Sequence, residues 1–342
     1  MDLCAAPGGK STLLSDSLPE GSLLVANEII RSRVATLREN IIKWGNPNTI
    51  ITNNDPKDFS ALAHFFNVVL VDAPCSGEGM FRKDPSAVAE WSPQHVQLCA
   101  KRQRRIITDV WNCLKPDGFL IYSTCTYNRT ENEENIRWIL NTFDAVLWRI
   151  SLDKRWNITE SDFGYRLYPH KTKGEGLFVS ILRKTTRGNI AANSHHTKKI
   201  IPSKNIATKQ IKEWLNGDFT FVEEQGKIKA FPSTYNYEIS QLLKNLRALQ
   251  VGINVAEVKE KHIIPTVELA LTQALHSDSF QMASVDLPTA LRYLKRENIA
   301  LPDHASGFIL ITYKRHPLGF VKNIGTRTNN LYPLAWRIRM NI

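Results

Sequence analysis

The sequence predicts an α/β protein: a Rossmann-like, doubly wound sheet, then a small α+β segment and a β-barrel. Three observations carry this. Apolar runs alternate with amphipathic stretches through residues 1–185, the pattern of helices laid against a mostly parallel sheet. Two runs, 68–75 and 119–125, stay apolar until each reaches a small-residue turn ending in cysteine, as strands buried on both faces do. Beyond residue 287 the chain is rich in β-formers broken by Gly and Pro, which reads as a small barrel.

Element by element, residues 1–4 read as the tail of a strand and 10–17 as the opening of a helix. Strands follow at 22–27, 49–53 and 67–72, with a helix at 32–44. An irregular loop runs to Trp91. A long helix over 93–114 carries Lys101, Arg102, Arg104 and Arg105. A strand at 118–123 precedes a helix at 130–140, where Thr130 and Glu133 have capping-box spacing. A strand at 177–182 closes this part. Residues 186–205 are Thr-, Asn-, Lys- and His-rich without apolar periodicity and read as a linker, so His195 and His196 are read as solvated. An α+β module at 206–276 and a barrel at 277–342 complete the chain, the barrel with strands at 307–313, 319–321 and 336–340.

At 342 residues and 42% hydrophobic, the chain can build more than one core. No apolar run approaches the roughly 18 residues of a membrane span, and no secretory leader opens it. The five cysteines form no CxxC pair and no paired Cys/His spacing of a zinc site, which argues against zinc. Their odd number argues against a disulfide scaffold, and a reducing, cytoplasmic setting fits. The net charge of +11 is uneven: +2 over residues 1–185 and +9 over 186–342. A basic appendage with interleaved aromatics, including Lys322 and Arg337, points to a polyanion such as nucleic acid.

Residues 2–11, Asp-Leu-Cys-Ala-Ala-Pro-Gly-Gly-Lys-Ser, join a strand to a helix through small residues that let backbone approach a ligand. A phosphate loop would need glycine where Cys4 stands, and the dinucleotide pattern is absent too. Glu28 closes the second strand, where a carboxylate suits a ribose; a helix-capping role fits equally. Asp55 could reach an adenine edge or serve as a turn residue. Asp72 could hold a base by its polar edge, and Arg82 and Lys83 could neutralise phosphate or lower a thiol pKa. Cys99 and Cys113, among apolar neighbours, read as structural. Cys75 and Cys125 end two strands, where α/β sheets bind ligands. There one thiolate suits attack on a ring carbon, and a second group suits release.

Together these segments resemble the RNA (cytosine-5)-methyltransferases of the Sun/Nop2 type. The resemblance lies in DLCAAPGGKS (2–11), DAPCSGEGMFRKDP (72–85), WSP (91–93) and YSTCT (122–126) followed by Glu131-Asn132-Glu133, and it covers residues 1–184. Gly307-Phe308, PLGFVK (317–322), NLYP (330–333) and Trp336-Arg337 are similar to the PUA-like RNA-binding domain of the RsmF-like branch, which methylates small-subunit ribosomal RNA. The resemblance implies that Cys4, Ala5, Ala6, Pro7, Gly8, Gly9 and Lys10 cradle S-adenosylmethionine, that Glu28 takes its ribose and Asp55 its adenine, and that Asp72 contacts cofactor and target base. It implies Cys125 as nucleophile and Cys75 as the residue assisting adduct breakdown, on a base that is extruded or single-stranded. It further implies an RNA-binding part upstream of Met1, so residues 1–185 read as an N-terminally truncated methyltransferase domain. The expected partner is ribosomal RNA or the small subunit, with no metal, no membrane and a monomeric chain. A non-catalytic RNA-binding remnant and a tRNA enzyme are the rival readings.

Overall fold

The computed structural model describes residues 1–185, 200, 202–203, 207–260 and 262–340. His195, His196 and most of the expected linker lie outside the described residues.

The first half is a sheet with helices on its two faces. Its parallel part comprises β1 (Leu24–Asn27), β2 (Thr49–Thr52), β3 (Phe66–Asp72) and β4 (Leu114–Thr124). The segment from Met1 to Ala5 runs between β1 and β3, bridging Ala26 on one side and Leu70 on the other through Asp2. Its ladder is made on both edges: Asp2 N–H donates to Val25 (2.8 Å), and Leu3 N–H to Leu70 (2.9 Å). The helices are α1 (Gly9–Ser17), α2 (Arg31–Trp44), α3 (Pro85–Glu90), α4 (Pro93–Trp111) and α5 (Glu133–Thr142). Ala26 and Ile51 pack with Val34, Leu37 and Ile41 of α2. Their neighbours Val25 and Ile50 pack with Ile107 and Val110 of α4 and Ile136 and Ile139 of α5. This period-two alternation puts α2 on one face and α4 and α5 on the other.

Past β4 the sheet turns antiparallel through β5 (Ala145–Leu147), β6 (Thr159–Ser161), β7 (Gly164–Leu167) and β8 (Leu177–Lys184), in the order β3-β4-β8-β7-β6 with β5 pairing β8. The sheet is therefore mixed rather than wholly parallel. The expected capping box at Thr130 does not form. Asn132 occupies the N-cap without a side-chain cap bond, because Glu133 is drawn into a buried pair with Arg166 of β7 (2.6 Å). Charge pairing inside a core outweighs a neutral cap bond.

The next segment holds α6 (Ala207–Lys212), β9 (Phe219–Glu224), β10 (Lys227–Pro232), α7 (Asn236–Asn245), β11 (Ala248–Val251), β12 (Ile253–Lys259), β13 (His262–Pro265) and α8 (Val267–Leu271). Four strands form the sheet β13-β12-β10-β9. β11 instead crosses to the first sheet and pairs antiparallel with β2, Val251 opposite Ile50. The chain turns back into β12 at Gly252, whose φ of +59° and approach to Ala230 O leave no room for a Cβ. Ile239 and Leu242 of α7 join the core of the first half.

The last segment comprises β14 (Gln281–Ser284), α9 (Leu287–Leu294), β15 (Gly307–Tyr313), β16 (His316–Asn323) and β17 (Thr328–Asn330), a four-stranded sheet in that order with β14 parallel to β15. The strand expected at 336–340 is absent. Leu334–Trp336 is a short 3-10 turn, and β17 takes the edge of β16 instead. Pro333 lacks the N–H a ladder needs, and Trp336 packs against Tyr332 with ring centroids 6.3 Å apart.

Candidate active site

β3 and β4 run parallel with Asp72 opposite Ser123, so the two strands leave the sheet together. Each ends in a turn bearing a cysteine, and Cys75 Sγ lies 3.1 Å from Cys125 Sγ. Ala73 N–H donates to Ser123 O (2.8 Å) just before the turns separate. Gly79 N–H donates to Cys125 O (2.7 Å). A Cβ on Gly79 would sit 2.6 Å from that oxygen, so only glycine permits the contact.

The two turns are held from below by one fully buried carboxylate. Glu131 accepts from Ser76 N–H (3.1 Å), Gln103 Nε2 (2.7 Å) and Asn128 Nδ2 (2.8 Å), and from the Ser76 hydroxyl. Its neighbour Asn132 accepts from Thr124 Oγ1 (2.6 Å) and donates to Thr126 O (3.0 Å). Glu131 thus fixes the Cys75 turn and Asn132 the Cys125 turn. Sequence reasoning assigned neither residue this role. The available signal was two consecutive polar residues, Glu131-Asn132, at the mouth of a helix and just after a strand end that carries Cys125.

The thiol pair is electrostatically asymmetric. The hydrogen bond from Cys75 pulls Cys125 below the usual thiol range, against burial and the nearby Asp72 carboxylate, with a smaller contribution from Lys10. The same bond, with burial, pushes Cys75 well above that range. Cys125 is the half-exposed thiolate candidate, and Cys75 is its proton-bearing partner. Burial raises Cys99 to about 11 and Cys113 to about 12 and pushes Cys4 up as well. These three remain thiols.

A cavity of about 540 Å³ joins the cysteines to the loop after the first strand. Leu3, Cys4, Ala6, Glu28, Asp72, Cys75 and Cys125 all line it. Gly8 takes φ +116° at the head of α1, and Asn40 and Arg33 of α2 donate to Pro7 O (2.8 Å) and Ala6 O (2.6 Å). Glu28, buried at the end of β1, accepts from Ile30 N–H (2.9 Å) and Ala6 N–H (3.3 Å). Asp72 accepts from Lys10 Nζ (2.8 Å) and Ser123 Oγ (2.8 Å).

Other expected site residues fall elsewhere. Asp55 caps a short 3-10 turn, accepting from Lys57 N–H (3.1 Å), and takes two bonds from Arg105 (2.6 and 2.8 Å). It stands beside the cavity, whereas Pro56 and Arg105 line it. Burial raises its pKa, but the bonds from Arg105 and Lys57 prevail and hold it below the usual range. Lys83 pairs with Glu175 (3.1 Å), and Arg82 is exposed. In the last segment, Lys322 lies 5.7 Å from the Phe308 ring and Arg337 is exposed. No helix among the described residues is long and apolar enough to cross a membrane.

Comparison with known proteins fits this geometry. Residues 1–183 match the family model described as 16S rRNA methyltransferase RsmB/F. The chain belongs to this family. Residues 282–338 match the methyltransferase RsmF PUA domain. Curated relatives named ribosomal RNA small subunit methyltransferase F, from Salmonella agona and Cronobacter sakazakii, are each 32% identical over 97% of this chain and 72% of their own length. Among solved structures, PH0851 superposes with a TM-score of 0.50 at 27% identity, over 54% of this chain and 42% of that one. Membership of the family accounts for the α/β fold of the first half, and the PUA match for the C-terminal segment.

Proposed function

We propose that the chain transfers a methyl group from S-adenosylmethionine to carbon 5 of a cytosine in small-subunit ribosomal RNA, through a covalent adduct on Cys125. The observation that carries this reading is the 3.1 Å approach of Cys75 Sγ to Cys125 Sγ in the cavity that also holds Cys4, Ala6 and Glu28.

The cavity fits the donor on its own features. Pro56, Ile29 and Ile30 offer apolar surface for a purine, Glu28 offers acceptors for hydroxyls, and Asp72 offers one for an ammonium. Residues Cys4–Lys10 would hold the amino-acid end against the start of α1, with Asp55 at the adenine edge. When bound, S-adenosylmethionine supplies an electrophilic methyl group.

Cytosine carbon 5 is a weak nucleophile. Addition of Cys125 Sγ to carbon 6 moves electron density onto carbon 5, which then takes the methyl group. The carbon 5 proton must leave next, and the C6–S bond breaks as the ring regains its double bond. Cys75 suits this step for an electrostatic reason. Its pKa is high chiefly because it donates to the Cys125 thiolate, with burial and the charge of that thiolate adding to the shift. Once Cys125 is a neutral thioether, that acceptor and that charge are gone. Cys75 then becomes more acidic than in the resting pair and gives its own proton to solvent; the resulting thiolate accepts the carbon 5 proton as Cys125 leaves carbon 6 as a thiolate.

Methylation at carbon 5 displaces one proton from that carbon. Ribosomal RNA carrying tritium at cytosine carbon 5 should therefore release tritium to water in step with methyl incorporation. Methyl incorporation without tritium release would overturn the assigned position. Cys125→Ala should reduce both signals to background.

A further inference from the structure

We infer that Arg102 is a positioning residue that grips a phosphate of the single-stranded RNA entering the cavity. This inference rests on the proposed reaction and adds a contact not expected from the sequence.

Three arginines line the cavity: Arg33, Arg102 and Arg105. Arg33 donates to Ala6 O and faces Glu28 at 3.5 Å. Arg105 is held by Asp55 at 2.6 Å and Asp109 at 3.2 Å. Arg104, one residue away, is held by Asn135 (2.7 Å) and lies over the Trp138 ring. Arg102 alone of the cavity arginines has no ion pair or hydrogen bond among the described residues, and it is exposed. A guanidinium on a helix beside a cavity, with its donors open, presents a fork that matches phosphate oxygens.

Its position selects the ligand. Leu3–Ala6, Glu28 and Arg33 form one side of the cavity, where donor contacts are proposed. Pro74, Cys75, Gly77 and Met80 follow β3 and stand beside Cys125, the thiol proposed to meet the target base, with Cys75 Sγ 3.1 Å from Cys125 Sγ. Arg102, on α4, lies one helical turn before Arg105 and is exposed where it lines the cavity, at the rim open to an incoming strand. A base entering to meet Cys125 must bring its backbone past this rim. The other anion within reach of such a cavity is the carboxylate of the methyl donor, so the test separates the two.

Arg102→Ala and Arg102→Lys should both fold, since the side chain is exposed and unbonded, and thermal unfolding checks this. Binding of a single-stranded ribosomal RNA fragment is measured by fluorescence anisotropy across a salt series, and S-adenosylmethionine binding by calorimetry. Arg102→Ala should weaken RNA binding about tenfold at low salt and lower the salt slope by about 0.7, the value for one phosphate contact on a single strand. Arg102→Lys should restore the slope, and donor affinity should stay unchanged in both. An unchanged RNA slope, or a loss confined to donor affinity, would overturn the inference. Because RNA binding is read without turnover, this result is independent of tritium release by the wild-type chain, which tests the proposed reaction itself.

Discussion

At the scale of single residues, the site depends on how two thiols share one proton. Cys75 donates to Cys125 and lowers its pKa, so the Cys125 thiolate forms at a lower pH than a free thiol would need. Removing the donor reverses the sign: in Cys75→Ala the Cys125 pKa should rise. Alkylation of Cys125 by iodoacetamide, followed against pH, should therefore show its midpoint move upward in Cys75→Ala. A midpoint that stays or falls would contradict the asymmetry. Glu131 gives a second residue-scale expectation. Its carboxylate gathers donors from Ser76, Gln103 and Asn128, and a glutamine would turn one acceptor into a donor facing other donors. Glu131→Gln should lower kcat by roughly 100-fold, the cost of misplacing a reacting group by about 1 Å, while donor affinity holds. Equal kcat in mutant and wild type would remove Glu131 from this role.

The cysteine pair was legible because each thiol closes an apolar run, and strand ends in an α/β sheet converge on one crevice. The Glu131 clamp was not legible. Its partners lie on three separate segments, and only the folded chain brings them to one carboxylate. The spacing that suggested a cap at Thr130 was real, but Glu133 finds a stronger partner in Arg166, which no local pattern announces.

Elements connect the site to the rest of the chain. α2 is the main link: Arg33 and Asn40 hold the loop at Ala6 and Pro7. Further along, Arg38 donates to Gln250 Oε1 (2.6 Å) and reaches Glu268. The helix ends on Gly45, at φ +82°, with Leu271 O only 2.0 Å from where a Cβ would be. Gly45→Ala should destabilise the protein by about 2–4 kcal/mol, through both the positive φ and the clash. Chemical denaturation measures this, and a change under about 0.5 kcal/mol, the size of an ordinary surface substitution, would show that the contact yields easily. Most helices and strands of the first half were legible from apolar periodicity. β11 was not: its four residues carry no signal that they pair with β2 rather than with their neighbours.

For the whole molecule, this pairing means that the first sheet is completed from the second half of the chain. β11 covers the edge of β2, and Phe231, Tyr235, Ile239, Leu242 and Leu246 fill the same core as Val25 and Ile50. Residues 1–185 expressed alone would expose that edge and that apolar surface. They should aggregate or bind a hydrophobic dye, whereas the full chain should not. A well-dispersed, cooperative fragment 1–185 would contradict this account of the core.

The central claim is that Cys125 attacks and Cys75 releases, and adduct trapping tests it most directly. The full chain, Cys75→Ala and Cys125→Ala are each incubated with ribosomal RNA and labelled S-adenosylmethionine, then run on a denaturing gel. Cys75→Ala should carry labelled RNA as a protein-linked band, because methylation proceeds and release stalls. Cys125→Ala should carry none. A linked band in Cys125→Ala and none in Cys75→Ala would reverse the two roles.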